Sequence, residues 1–339
     1  MPPARPKLYL IGEPGRIGGA STKLSHLIRL LKDDFDITLV FPDKACLKNS
    51  ELASRNDINS VARCLVSQLP SKMEGVALGV CDPDFFAGGR ALLAKSRGLK
   101  VVWSNEMMWS FRGEAEAVKN GLVDRVLFVS DFQAQVFRDT YAEIPSFITG
   151  NYIDAEDFAY RERRNSTFTI GRLSRADPVK YPLNFPVFYE DFGLKDVNYR
   201  VMAWSADLSR IYKWHSFGPE WQLLSSLKES SRAFLYTLDA FVYPLGHSCK
   251  ESWGRAVVEA MLTGLAPIVP CGHNFSNLIA PFETGFLCGA YDEWKRVVLE
   301  LHADYARRVH IGKKAAEYAR DCLCNKVQHR AVWMKALTF

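Results

Sequence analysis

Two carboxylates, Glu251 and Glu259, stand with seven residues between them in the stretch ESWGRAVVE, and AMLTGLAPIV follows at once. An ionised carboxylate only accepts hydrogen bonds, so it suits vicinal hydroxyls such as those of a sugar or a ribose. The segment FLYTLDAFVYPL before Glu251 reads as a buried strand, Gly254 to Thr263 as a helix, and Gly264 as its end. Glu251 is thereby placed in the strand-to-helix loop with Ser252, Trp253 and Gly254, and Glu259 about two turns into the helix. A helix N-terminus offers free N–H groups and a partial positive charge, which favours a diphosphate. The combination suits a nucleotide-sugar, with Glu251 at the sugar and Glu259 at a ribose diol. A bare pair of glutamates is far more often two surface charges on an amphipathic helix; the surrounding pattern decides against that.

Cations for a diphosphate stand upstream in FTIGRLSRADPVKYP, as Arg172 and Lys180. Arginine offers a bidentate fork and lysine a point charge. Fixed cations stabilise a leaving diphosphate without reorganising. Arg175 is the alternative to either. In the first half, GEPGRIGGAST carries Gly12, Gly15, Gly18 and Gly19 between a strand and a helix. Glycines there let backbone approach a phosphate or sugar closely. The spacing is not that of a dinucleotide loop, and Asp43 as a ribose acid has little behind it. WSNEMMW supplies Asn105 and Glu106 after a strand; Glu106 either orients or deprotonates an acceptor hydroxyl, or is a plain helix-start carboxylate. Trp103, Met107, Met108 and Trp109 either floor an acceptor pocket or belong to the core. His247, Ser248 and Lys250 precede Glu251 as further contacts for the donor or as solvated loop, and His215 and His273 receive no role.

Strand and helix signals alternate along the chain to position these groups. KLYLIG, DITLVFP, GVALGVC, KVVWSNE and DRVLFVS read as strands, with helices at Ser21 to Lys32, at ALLAKSRG and from Asp131. TFTIGRL, YRVMAWS, AFVYPL and APIVPC continue the theme. Such alternation predicts parallel sheets with helices on both faces, whose ligands bind beyond the carboxyl ends of the strands. The polar stretch Tyr152–Ser166 reads as a linker, and its Arg161, Arg163 and Arg164 as solvated charges. Two domains are expected, 1–155 and 156–320, with a segment 321–339 returning to the first.

Residues 168–290 resemble the retaining glycosyltransferases of family four, the glycogen synthase-like and mannosyltransferase-like group with the GT-B fold. The likeness rests on Glu251, Glu259, Ala260, Met261, Gly264 and Pro267, on Gly171, Arg172, Leu173 and Lys180, and on ETGFLC at 283–288. FVSDFQAQVF and TGNYIDAEDF echo further family segments. The resemblance implies an α/β fold of two doubly wound Rossmann-like domains facing across a cleft, an acceptor domain and then a donor domain. It implies a UDP- or GDP-sugar as co-substrate, no obligatory cofactor, no metal, and no protein nucleophile at the anomeric carbon. It implies that Arg172 and Lys180 neutralise the diphosphate, that Gly18 and Gly19 approach it, and that Glu251 and Glu259 hold sugar and ribose. The chain departs from the family at two points: a longer spacing from Arg172 to Lys180, and Asn105-Glu106 where members often carry a histidine.

Composition fits this reading. The chain has 339 residues, 48% apolar and 24% charged, with a net charge of +5. No basic stripe appears, so a nucleic-acid acceptor is allowed but not indicated. Eight scattered cysteines lack zinc spacing and read as thiols in a reducing compartment. No signal peptide or membrane span is legible, and a cytoplasmic location is expected. The acceptor, whether glycan, lipid, metabolite or hydroxymethylated DNA base, stays open, as does the oligomeric state. A nucleotide-sugar epimerase or a phosphorylase on the same fold, a dinucleotide oxidoreductase built on the first glycine loop, and a non-catalytic sugar-nucleotide binder are the alternatives.

Overall fold

The computed structural model describes residues 4–12, 19–42, 60–163, 165–226 and 228–339. The chain divides into two units, one comprising 1–153 with 326–339 and the other 154–325.

Unit one is built on seven strands: β1 (Lys7–Ile11), β2 (Asp36–Phe41), β3 (Ala62–Leu65), β4 (Val76–Val80), β5 (Lys100–Ser104), β6 (Arg125–Phe128) and β7 (Ser146–Ile148). They pair in the order β3-β2-β1-β4-β5-β6-β7, all parallel. A parallel sheet is covered on both faces, so its strands read as near-continuous apolar runs; β4, VALGV, is buried at every position. Alternate residues serve opposite cores. Leu8, Leu78 and Val102 join the cluster under helix Gly19–Leu31, while Ala77, Val101 and Trp103 join the cluster on the other side. That helix buries Leu24, Leu27, Ile28 and Leu31, one face at helical spacing. Each such side chain contributes about 1.5–3 kcal/mol. Trp333 and Leu337 of helix Lys326–Leu337 complete the same cluster.

Unit two carries β8 (Phe168–Leu173), β9 (Val197–Met202), β10 (Trp221–Leu224), β11 (Ala240–Val242), β12 (Pro267–Pro270) and β13 (Phe286–Cys288). The order is β10-β9-β8-β11-β12-β13, again parallel. In both sheets the winding reverses once, between β1 and β4 and between β8 and β11. The carboxyl ends at such a reversal diverge and leave a crevice. The core of unit two is strongly aromatic, with Phe185, Tyr189, Tyr199 and Trp221 in mutual ring contact.

Two sequence expectations are corrected. FLYTLDAFVYPL is not one strand. Helix Ser231–Leu235 ends in it, capped by Ser230, whose hydroxyl accepts from the Ala233 amide, and only Ala240–Val242 forms a strand. Between them Asp239 accepts from the Thr169 amide at 2.9 Å, which fixes where β11 starts. The linker arginines are not all solvated either. Arg163 is buried and donates to the carbonyl of Thr263 at 2.8 Å, at the end of helix Arg255–Leu262. Burial lowers its pKa to about 10. Arg164 lies outside the described residues. Among the described residues no helix is long and apolar enough to cross a membrane.

Candidate active site

The candidate residues of unit two converge where β8 and β11 part. After β8 the chain turns through Ser174, whose amide bonds to Met202, and enters a short 3-10 turn, Pro178–Lys180, capped by the Asp177 carboxylate on the Val179 amide. Gly246 lets this turn lie directly on the loop after β11. A Cβ there would stand 2.2 Å from the Val179 carbonyl oxygen. The close approach brings Lys180 Nζ to 2.7 Å from Glu251 Oε2, and the Tyr243 hydroxyl donates to the same oxygen at 3.2 Å. Burial alone would lower the Lys180 pKa, but Tyr243 and Glu251 opposite it outweigh that and hold it above its usual value. Burial likewise pushes Glu251 up, and Lys180, the Tyr243 hydroxyl and Arg175 overcome that and hold it below the usual carboxylate range. The pair is therefore ionised on both sides at neutral pH.

The loop carrying Glu251 is pinned from β12. The Glu251 amide donates to His273 Nδ1 at 3.3 Å, and Asn274 Nδ2 donates to the Trp253 carbonyl at 3.2 Å. Gly254 caps helix Arg255–Leu262 with φ of 97°, and a Cβ on it would meet the Phe275 ring at 2.8 Å. Only glycine suits that conformation in that space. Ser252 is half-buried and Trp253 buried. Glu259 lies in the second turn of the helix, buried, and accepts from Arg255 Nε at 2.9 Å. Its pKa is raised by burial, with Arg255 pulling down and Asp157 pushing up. Glu251 and Glu259 are thus opposite cases, one carboxyl held low by its cation and the other held high by its surroundings.

Arg172 departs from its expected place. Its side chain is wholly buried, not displayed. Nη1 donates to the Pro244 carbonyl at 2.7 Å and Nη2 to the Lys180 carbonyl at 3.1 Å. The guanidinium stacks 4.0 Å from the Tyr181 ring and 4.6 Å from Tyr243. A planar, weakly hydrated cation tolerates such an aromatic enclosure. Arg172 therefore ties the Lys180 turn to the loop after β11. Arg175 is exposed beside Glu251 and is the more available fork.

In unit one, Gly12 ends β1 so tightly that a Cβ would lie 3.1 Å from the Val80 carbonyl. Gly19 begins helix Gly19–Leu31; Gly15, Gly18 and Asp43 lie outside the described residues. Asn105 and Glu106 follow β5. Glu106 is buried and has φ of 68°, a left-handed conformation that strains a residue with a Cβ. Its Oε1 accepts from Lys23 Nζ at 2.6 Å and from the Ser104 hydroxyl. Lys23 is wholly buried, also donates to the Gly150 carbonyl at 3.4 Å, and sits 5.2 Å over the Trp333 ring. Glu106 is therefore no helix-start carboxylate but one member of a buried ion pair. Trp103 is core: wholly buried, stacked on Phe85, its indole N–H on Glu114. Met107 and Met108 are half-buried and Trp109 is exposed. Among the described residues no group of three or more His, Cys, Asp or Glu side chains is placed to hold a metal ion.

Residues 198–318 match the family model of glycosyl transferases group 1. The whole fold is similar to that of Anabaena HepE in complex with UDP and glucose, with a TM-score of 0.79, 14% identity, and 98% of this chain and 99% of that one covered. Sucrose-phosphate synthase from Thermosynechococcus elongatus gives a TM-score of 0.74 at 11% identity, with 98% of each chain covered. TarM gives 0.77 at 9% identity, with 98% of this chain and 99% of that one covered. The fold is GT-B. Comparison with curated proteins gives no match.

Within this GT-B fold the residues read from the sequence fall into two groups. Lys180, Glu251, Ser252, Trp253 and Gly254 come together at the switch point, with Arg172 beneath them and Glu259 one helical turn onward. Glu106 belongs to unit one. His273, Asn274, Gly246 and Lys23 were not singled out, though each holds a candidate residue or loop in place. The polar CGHN directly after the strand APIVP was the available signal for the first two, since strand carboxyl ends line the crevice. Lys23 and Gly246 had none, because their partners lie far along the chain.

Proposed function

We propose that this GT-B-fold chain is a retaining glycosyltransferase of the family-four type. In this reading it moves a hexose from a UDP-sugar to an acceptor hydroxyl, with unit two as donor domain and unit one as acceptor domain. The observation that carries it is the part-buried Lys180–Glu251 ion pair, which joins the turn after β8 to the strand-to-helix loop after β11. A lysine fixed there neutralises charge developing on the leaving diphosphate without reorganisation. Arg175 adds a second cation, and the Gly254 cap opens helix N–H groups to the same anion. Glu251, kept ionised and acceptor-only, holds donor sugar hydroxyls. Glu259 holds the ribose diol. The bond to the diphosphate oxygen breaks as the acceptor oxygen attacks the anomeric carbon from the same face, through an oxocarbenium-like state, and the acceptor's proton passes to the departing diphosphate oxygen. Glu106, with Lys23 and Ser104, orients the acceptor hydroxyl. UDP is favoured over GDP because the similar HepE structures hold UDP, UDP-glucose, or UDP with glucose.

The test is a donor panel scored by thermal shift. A ligand present at 100 times its Kd stabilises the folded state by about 2.7 kcal/mol, so UDP-hexoses are expected to raise Tm by several degrees and to release UDP slowly with candidate acceptors. A response to NADH alone, with none to any nucleotide-sugar, would return the protein to the oxidoreductase class.

Acidification separates the two glutamates. Glu259 starts above the ordinary carboxylate pKa and Glu251 below it. As pH falls, Glu259 protonates first and ceases to be a pure acceptor for the ribose. UDP-glucose affinity, followed by calorimetry from pH 8 to pH 4 with a donor whose diphosphate does not itself titrate there, is expected to begin falling above the ordinary value of 4.5. Glu259→Gln should bind UDP-glucose more weakly and without that acid limb. A wild-type affinity that stays level to pH 4.5 removes Glu259 from the donor site.

A further inference from the structure

The chain leaves β12 in a conformation that few side chains accept. Cys271 carries the ladder one residue past the strand, its amide on the Cys288 carbonyl at 2.9 Å. Gly272 and His273 then both take left-handed backbone, with φ of 88° and 53°. The glycine is suited to this, and a Cβ on it would meet nothing within 4 Å. The histidine is not. A β-carbon strains that conformation, and such strain persists only where the surroundings impose it. Here they do. Asn274, the next residue, is buried and fixed on both sides: its Nδ2 donates to the Trp253 carbonyl at 3.2 Å, and its Oδ1 accepts from Asn277 Nδ2 at 3.0 Å. The centre of the imidazole lies 5.8 Å from that of the Phe275 ring, tilted by 58°. The turn is thereby folded back until the His273 ring lies against the loop that carries Glu251.

The direction of one hydrogen bond fixes the state of that ring. The Glu251 amide meets His273 Nδ1 at 3.3 Å. A main-chain N–H can only donate, so Nδ1 is the acceptor, the ring is neutral, and its one proton is on Nε2. Burial favours this neutral form and lowers the pKa of His273; Glu251 opposes the shift and Lys250 adds to it. Both charged groups act from the loop after β11, and the turn that follows His273, Asn274-Phe275-Ser276-Asn277, carries none. Glu251 is thus gripped at two levels. Lys180 and the Tyr243 hydroxyl hold one oxygen of its carboxylate, and His273 holds the main chain from which the carboxylate hangs. A protonated ring could not accept, and its Nδ1–H would face the Glu251 N–H, donor against donor.

We infer that His273 is a positioning residue whose neutral ring sets the Glu251 main chain, and with it the aim of the carboxylate, and that protonation of the ring releases this hold. The inference rests on the donor role proposed for Glu251. The test follows UDP release from UDP-glucose, with water as acceptor and the donor saturating at each pH, which keeps the affinity limb expected of Glu259 out of the measurement. His273→Ala removes the acceptor and is expected to lower kcat about tenfold, the scale of one hydrogen bond lost from the reacting arrangement, with KM changed by less than about twofold. His273→Asn puts a carbonyl oxygen where Nδ1 stands and tolerates left-handed backbone, so it should return kcat to within about twofold of wild type. Wild-type kcat should fall as pH drops below the ordinary histidine value of 6.5, because the protonated ring no longer accepts. His273→Asn does not titrate and should keep its kcat level through that window. Equal losses in the two variants, full activity in His273→Ala, or an acid limb retained in His273→Asn each overturns the inference. NMR of protein labelled at the histidine nitrogens, with His273 assigned by its absence from His273→Asn, reads the ring without turnover: an unprotonated Nδ1 at neutral pH supports the inference and a protonated one overturns it. Absence of UDP release by wild type, beside an unprotonated Nδ1, strikes the donor reading instead.

Discussion

Glu251→Gln is expected to lower kcat with a UDP-sugar donor by at least about a hundredfold, the scale seen when one preorganised electrostatic contact to a transition state is lost. The substitution keeps an oxygen that can accept from Lys180 Nζ and from the Tyr243 hydroxyl, so the loop keeps its shape. It removes a charge that, with Tyr243, raises the Lys180 pKa against burial and that, in the proposed reading, accepts donor hydroxyls. Arg172→Ala should reach a similar loss by another route. The Pro244 and Lys180 carbonyls lose their shared donor, and an aromatic enclosure loses its filling. Each unsatisfied buried acceptor costs about 1–3 kcal/mol, so Arg172→Ala should also lower Tm, whereas Glu251→Gln should alter Tm little. Steady-state kinetics beside thermal melts separate them. Near-full turnover in Glu251→Gln sinks the donor role of the pair. A kinetic defect in Arg172→Ala without any change in Tm would mean that its guanidinium touches the diphosphate directly and leaves the buried position during the reaction.

Lys23→Met is expected to destabilise unit one by about 3–5 kcal/mol, the usual result of removing one member of a buried ion pair. Lys23 is wholly enclosed, with Glu106 Oε1 at 2.6 Å and the Trp333 ring below it. Without it the Glu106 carboxylate stays buried and loses the lysine that faces it, on a residue whose backbone is already strained. Denaturant unfolding should place most of that loss in the single variant. Lys23→Met combined with Glu106→Gln should recover a large part of it, because two neutral groups replace two charges. The double variant should still lack transfer activity, since in the proposed reading Glu106 orients the acceptor hydroxyl. If Lys23→Met and wild type unfold at the same denaturant concentration, the pair contributes no structural restraint and Glu106 has another anchor.

The fold was legible because its signals are local and repeated. Apolar runs such as VALGV and KVVWS can only be strands covered on both faces, and the helical spacing of Leu24, Leu27, Ile28 and Leu31 marks one buried side of a helix. What escaped were the four short edge strands, Ala62–Leu65, Ser146–Ile148, Trp221–Leu224 and Phe286–Cys288. Three or four residues carry too little periodicity to be distinguished from loop, and their pairing is imposed by the neighbouring strand. FLYTLDAFVYPL was misread for a related reason. Its apolar residues serve a helix end and a strand in succession, and the turn at Asp239 is decided by a hydrogen bond to Thr169, seventy residues away in sequence.

The sequence by itself determined that two parallel sheets would form, that a strand-to-helix loop would carry Glu251 with Glu259 on the following helix, and that Lys180 would stand near the end of a strand. Those features follow from residues close together in the chain, where periodicity, capping and glycine placement act. Only the tertiary structure decided what each charge faces. Gly246 allows a turn to lie on a distant loop, Arg172 turns inward to tie them together, His273 meets the Glu251 amide, and Lys23 crosses to Glu106. Burial and a partner's distance fix whether a cation is a ligand or a strut, and both are set by packing between segments that the chain order keeps far apart.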